Sequence, residues 1–365
     1  MTSDSPAPVG SVAHQVAAYT ERVNALIADF LAEQRTVVAR ISPHAEELVA
    51  SISDLSRQGK RLRPRFAFLG FLAAGGDPAA ESIVRVGASL ELFQAAALIH
   101  DDLIDHSDTR RGAPSVHRRF EAIHREAGWS RDAARFGEAA SVLAGDLSLS
   151  FSEQLFGTTT TPPAARAVFD AMRAQVMAGQ FLDVLEESAG PTYGMDSAVD
   201  RARTIVRYKS AKYSTENPML LGGTLAGASE PLLAQYSRFA LPLGEAFQLR
   251  DDVLGVFGDP ETTGKPSGDD LREGKRTELI AHALVMATPE AARFIDGRLG
   301  AADLTADEIS RMCSILRDSG ALAATEATIN TLSDQGFSAL VTLDVCPEIR
   351  EALRDLGLAA IRRTT

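Results

Sequence analysis

The segment AESIVRVGASLELFQAAALI, from Ala80 to Ile99, is apolar around most of a helical circumference. A helix without a wide polar face must be enclosed by other elements, so this stretch predicts a central helix in a bundle. Its far end carries three acids. In ALIHDDLIDHSDTRRG, Ala97 to Gly112, these are Asp101, Asp102 and Asp105, with Arg110 and Arg111 a few residues on. At 100° per residue Asp105 falls about 40° from Asp101 and Asp102 about 100° from it, so all three project over one face. Two carboxylates about 4 Å apart repel by about 1 kcal/mol in water and about 4 kcal/mol at an effective dielectric of 20. Such a cluster implies a cation.

Elsewhere, alanine- and leucine-rich segments at helical period dominate, and alternating β-branched strands are nearly absent. The reading is therefore all-α: a single-domain helical bundle over residues 13–365, preceded by a disordered Ser/Pro/Gly-rich tail, 1–12. Loops are expected at Gly75–Pro78, Thr158–Ala165, Ser188–Gly194 and Asp259–Gly268. With 45% hydrophobic residues in 365, there is material for a sizeable core. The net charge of −12 argues against nucleic acid as a partner, because no basic excess exists to neutralise a phosphate backbone. A phosphorylated ligand must instead meet clustered bases or metal ions. Cys313 and Cys346 stand alone, and no basic-then-apolar leader or run of 18 apolar residues is found, so a cytoplasmic protein without stable membrane insertion is expected.

A second acidic pair, Asp251 and Asp252, again follows an apolar helix, within FQLRDDVLGVFGDPETTGKPSGDDLREGKRTELI. Two such clusters facing one another would chelate hard divalent cations. Oxygen ligands favour Mg²⁺, which shares its shell with waters and phosphate oxygens. Each cluster alone could equally be a solvated helix end. GKRLRP places Lys60, Arg61 and Arg63 just ahead of a helix start with Pro64 in its first turn, where backbone N–H groups favour an anion. Arg110, Arg111, Lys209, Lys265 and Lys275 are further candidate phosphate clamps.

In order along the chain, GKRLRP, LIHDDLID…RRG, GQFLD, YKSAKY and FQLRDDVLG…GK…GK closely resemble the trans-isoprenyl diphosphate synthases, or polyprenyl synthetases, over roughly Leu55 to Leu279. The resemblance implies an all-α homodimer with a deep central cavity in each bundle. It implies head-to-tail joining of an allylic diphosphate to isopentenyl diphosphate, with two or three magnesium ions bound together with the substrate diphosphate. By the same resemblance, Asp101, Asp105 and Asp251 hold metal with Asp102 and Asp252 beside them. Arg110, Lys209, Lys265 and the lid lysine Lys275 take the allylic diphosphate; Lys60, Arg63 and Arg111 take isopentenyl diphosphate. Ser210, Gln180, Asp183 and Gln248 match positions that orient substrate or stabilise the cation.

Two departures stand out. Gly255 replaces the last aspartate of the second motif, which weakens metal binding on that side, and Gln94 stands where a histidine is usual, its amide still able to donate to the isopentenyl diphosphate. Below Asp101, Ala97 lies one turn down and Phe93 about 12 Å down. The small Ala96 and Ala97 with Phe93 as floor predict a twenty-carbon, geranylgeranyl product; the alternative is that the alanines merely pack against a neighbour. Three rival functions remain: an HD-type metal phosphohydrolase built on His100-Asp101, a class I terpene cyclase, and a non-catalytic partner subunit.

Overall fold

A computed structural model describes residues 11–259 and 268–361. The expected tail lies outside the described residues up to position 10, and Ser11 caps the first helix through its side chain. The helices are α1 Val12–Ala39, α2 Glu46–Ser56, α3 Leu62–Ala73, α4 Glu81–Ile104, α5 Val116–Glu126, α6 Ala133–Gly157 and α7 Pro163–Ala189. One continuous coil follows: α8 Ala198–Ile205, a π-helical stretch Val206–Glu216, and α9 Asn217–Leu225. Then come α10 Glu230–Phe257, α11 Asp269–Glu273, α12 Glu278–Met286, α13 Pro289–Arg298, α14 Ala306–Asp318, α15 Ala321–Val341 and α16 Pro347–Ile361.

The apolar segment behaves as its composition demands. α4 is long and apolar enough to cross a membrane, yet most of that window is buried, packed against α6, α3 and α1. Leu90, Leu92 and Phe93 are at most 1% exposed. Aromatic stacks tie its neighbours together: Tyr19 of α1 lies parallel to Phe68 of α3 with ring centres 4.2 Å apart, and Phe156 of α6 lies on Phe169 of α7 at 4.0 Å. The C-terminal third, where no motif is legible, closes a second apolar cluster around Leu279, Ile295, Met312 and Leu316.

Among the described residues, strand is confined to a two-residue ladder, β1 Thr109–Arg110 with β2 Ala113–Pro114. Arg111 and Gly112 join them, both at positive φ (56° and 76°), as a two-residue turn with left-handed central residues requires. This hairpin orients the paired arginines, as described below.

The loop before α3 is fixed by Arg61, which sits at φ 53° and is 5% exposed. Its guanidinium donates to Asn24 Oδ1 (2.7 Å), to the Gln58 carbonyl (3.1 Å) and to Glu91 Oε2 (2.7 Å), itself buried on α4. A buried arginine is tolerable only with its charge and donors satisfied, and Glu91 with these carbonyl groups does so. Arg61→Met alone leaves Glu91 buried and unpaired, with an expected stability loss of about 3–5 kcal/mol, whereas pairing it with Glu91→Leu should recover most of that loss. Urea unfolding of both variants measures this; losses that simply add would show the two side chains to be independent.

Candidate active site

Toward the end of α4, Gln94, Ala97, Leu98 and Asp101 form one partly open stripe, while His100 and Ile104 open on another side. Asp105 caps the helix, its side chain 2% exposed. Three cations converge here. Lys209 Nζ lies 3.2 Å from Asp101 Oδ1 and 2.5 Å from Asp183 Oδ2. Arg110 reaches Asp101 at 3.7 Å, and Lys275 Nζ is 2.9 Å from Asp105 Oδ2. Burial works to raise the Asp101 carboxyl, but Lys209, Lys275 and Arg110 outweigh it and hold it well below the usual range. At Asp105 burial and the charge of Asp101 win, and its affinity for protons rises.

Lys209 arrives on the π-helical stretch, where amides bond five residues back and the coil widens. α7 crosses this stretch at Gly179, where a Cβ would stand 2.3 Å from the Lys209 backbone nitrogen. Glycine admits that approach, bringing Gln180 and Asp183 beside Lys209 and the half-buried Ser210. The Nε2 of Gln180 is buried with no hydrogen-bond partner, as is the Nε of Arg63. Buried, unsatisfied donors of this kind mark places where a ligand's oxygens belong.

The second wall comes from α10. Asp252 is buried and accepts from Gln248 Nε2 at 2.8 Å, so Gln248 serves as its support. Burial, with Asp270 and Asp251 adding, pushes its carboxyl up to about 8. Asp251 lies half-buried beside it. Lys275 links the walls: besides Asp105 it meets Glu273 at 2.6 Å and Asp270 at 4.0 Å, and Ser107, just past α4, donates to Glu273 at 2.5 Å. The lysine expected on a lid is thus seated between the acids.

The hairpin splits its arginines. Arg110 donates from Nε to Asp102 Oδ1 at 2.7 Å, while Arg111 turns to the carbonyls of Leu55 (2.9 Å) and Gln58. Arg111 therefore joins the loop of Lys60, which is exposed, and of Arg63, which donates to Ser214 Oγ at 2.8 Å and lies 4.1 Å over the Tyr213 ring. Tyr213 in turn donates to Gln94 Oε1 at 2.6 Å and packs edge-on against Phe93. A second cationic subsite thus adjoins the open stripe of α4.

Several expectations need correcting. Asp102, expected beside a metal, is 1% exposed and turned into the protein, where it anchors Arg110. Ala96, expected along the growing chain, is fully buried about 140° around the helix from Asp101, and Ala95 is buried too, so of the three alanines only Ala97 opens on the stripe. His100 points to α6, 3.6 Å from Asp146 and 3.4 Å from the Val142 carbonyl, away from the acid stripe, which removes the phosphohydrolase reading. Trp129, without a role in the sequence reading, packs on Phe136 and His124. Lys265 and the basic end Arg362-Arg363 lie outside the described residues. Sequence reasoning missed Glu187, four residues past Asp183 and hence on its face of α7, which burial, Asp183 and Asp105 push up to about 7. It also passed over Asp270 and Glu273, whose signal was their place just ahead of Lys275 in GDDLREGK.

Among the described residues no three carboxylates or imidazoles close on one point. An all-oxygen donor set divided between two walls fits magnesium shared with a substrate diphosphate, and a protein cage does not. Without divalent cations Asp252 should make stability fall as pH rises. Its carboxyl ionises near 3.8 in the unfolded chain and only near 8 in the folded one, so the folded state binds more protons in between. Asp252→Asn should therefore gain on the unsubstituted protein between pH 5 and 8 by urea midpoint; a constant gap would show that the group does not titrate this way.

A profile described as polyprenyl synthetase matches residues 45–316. Among solved structures, the chain is 39% identical to a geranylgeranyl pyrophosphate synthase from Corynebacterium glutamicum, complexed with isoprenyl diphosphate and magnesium, at a TM-score of 0.89 over 95% of this chain and 99% of that one. It is 32% identical to a geranylfarnesyl diphosphate synthase of Aeropyrum pernix, over 76% of this chain and 81% of the relative. It is 29% identical to the octaprenyl diphosphate synthase of Escherichia coli, over 94% and 98%.

Proposed function

The chain belongs to the polyprenyl synthetase family, the trans-prenyl diphosphate synthases, and is a transferase; from that premise we propose that it joins isopentenyl diphosphate head to tail to an allylic diphosphate and stops at geranylgeranyl diphosphate. The observation that carries this reading is the convergence of Lys209, Arg110 and Lys275 on Asp101 and Asp105, with Asp270 of α11, packed on α10 at Gly255, on the far side of Lys275. Relatives carry names from geranylfarnesyl to octaprenyl, so product length rests on this chain's own residues.

Asp101 and Asp105 on one wall, with Asp251 and Asp252 on the other, would hold magnesium, which when bound with the diphosphate neutralises charge building on the departing oxygens. Lys209, Arg110 and Lys275 donate to the same oxygens, stabilising the leaving group more as its charge grows. Lys60, Arg63, Arg111 and Gln94 hold isopentenyl diphosphate beside the stripe, so that its double bond meets the allylic carbon. Gln180 and Ser210 orient the substrate, and Asp183 holds Lys209 in place. The apolar wall of α4 keeps water from the carbocation, and the proton lost from the new chain goes to the departing diphosphate. No protein nucleophile is required. Asp102 takes no metal here; it supports Arg110.

The growing chain runs from Asp101 past Ala97 toward the Phe93–Tyr213 pair. Leu143 of α6 and Phe181 of α7 are 58% and 65% exposed, and with Val142 and Met177 they offer an apolar surface suited to a second copy of the chain, supporting a homodimer. The intact clamps favour catalysis over the partner-subunit reading, and the subsite of Lys60, Arg63 and Arg111 gives a second diphosphate a place that a cyclase would leave idle.

Labelled isopentenyl diphosphate, magnesium and primers of five to fifteen carbons should yield a twenty-carbon product on sizing. Ala97→Phe should shorten it, and Asp101→Asn should lower kcat on the order of 10²-fold or more. Condensation without any shortening by Ala97→Phe would defeat the length argument; absence of condensation would defeat the function.

A further inference from the structure

Lys275 and Arg276 are neighbours in sequence, yet their charges are fastened to different parts of the fold. The Lys275 ammonium goes to the acid cluster, 2.9 Å from Asp105 and 2.6 Å from Glu273. The Arg276 guanidinium turns instead to α13, where it donates from both Nη1 (2.9 Å) and Nη2 to Asp296 Oδ1. Its side chain is 6% exposed and that of Asp296 is 32% exposed, so the arginine is the buried member of the pair and water reaches the aspartate. The end of α7 closes over the guanidinium: a Cβ on Gly190 would stand 2.9 Å from Arg276 Cδ and Nε. Two backbone contacts bind the same segment to the same layer. The Gly300 amide donates to the Leu271 carbonyl at 3.0 Å, and a Cβ on Gly274 would lie 3.1 Å from the Gly300 Cα. Leu271 itself is buried in one apolar cluster with Ile295 of α13 and Ile309 of α14.

We propose that Arg276 is a positioning residue for the reaction: its pairing with Asp296 sets the backbone from which Lys275 reaches between the two walls. This rests on the function proposed above. A lysine is a point charge on a flexible stem with no fixed donor geometry. Asp105, Glu273 and Asp270 all draw the ammonium, so its tip alone does not define where a leaving diphosphate will find it. Its root does. One residue along, a shift of the backbone would pull the buried guanidinium from its partner and leave a charge uncompensated in the interior. On the other side of Lys275, the contact of Gly274 with Gly300 leaves the chain no room to slide toward α13. The ammonium therefore moves by its own side chain only, and the C-terminal helices act on the chemistry through it.

The test uses the full chain. Arg276→Met removes the anchor and leaves without its partner only Asp296, which water can solvate. It should weaken magnesium-dependent binding of inorganic pyrophosphate, read by calorimetry, about 10-fold, and lower kcat for condensation about 10–100-fold with the KM for isopentenyl diphosphate unchanged. In a Lys275→Met background the same change should cost less than about 2-fold in pyrophosphate affinity, because the group that Arg276 positions is gone. Both donors of Arg276 meet one oxygen, so a point charge can serve, and Arg276→Lys should recover most of the loss. Circular dichroism reports folding, and if Arg276→Met does not fold, Asp296→Asn takes its place. Equal losses in the two backgrounds, or unchanged pyrophosphate affinity in the folded variant, overturn the proposal. Unsubstituted protein that binds pyrophosphate but transfers no prenyl group overturns the proposed function, and the pyrophosphate measurements still decide the role of Arg276.

Discussion

Charge neutralisation between buried acids and buried cations governs this structure. Carboxylates at the end of an apolar helix repel one another and lose hydration, and each must be compensated on the spot. Lys275 does this for both walls at once, touching Asp105 on the α4 side and Asp270 on the α10 side, while Lys209 spans Asp101 and Asp183. In each case burial alone weakens the ammonium's hold on its proton, and the surrounding acids outweigh this and strengthen it. The acids still outnumber the cations, with Lys209, Lys275 and Arg110 facing Asp101, Asp102, Asp105, Asp183, Asp270 and Glu273, so the cluster keeps an excess of negative charge.

Close backbone approach is the second requirement. The clamps come from elements far apart in sequence, and they meet only because α7 comes within side-chain-excluding distance of the π-helical stretch at Gly179. Wider coiling over Val206–Glu216 also lets Lys209, Tyr213 and Ser214 reach toward the α4 stripe and Arg63. Lys209 and Tyr213 are therefore both set by one local departure from α-helical pitch.

Much of this was legible in the chain itself. An apolar segment running into aspartates leaves few folds available, and the ordered motifs point to one reaction class. Local patterns failed where tertiary contacts decide the outcome. Helical projection puts Asp102 over the acid face, yet Arg110, held by a hairpin that no strand-like composition announces, draws it inward. Ala95 and Ala96 look as open as Ala97, but both are buried against neighbouring helices while Ala97 lies on the partly open stripe. That position 255 is glycine is plain in sequence; that Asp270 occupies the space beside it is not, because Asp270 lies fifteen residues away and reaches it only through the path of α11.

Adjacent arginines, Arg110 at the end of β1 and Arg111 in the turn that follows, are anchored a single peptide unit apart. Arg110 is fastened to the acid cluster and Arg111 to the loop before α3, with a left-handed turn allowing no slack between them. The hairpin thus fixes the spacing of the two backbone anchors, and the acid cluster and the loop before α3 are tied to neighbouring residues of one tight turn.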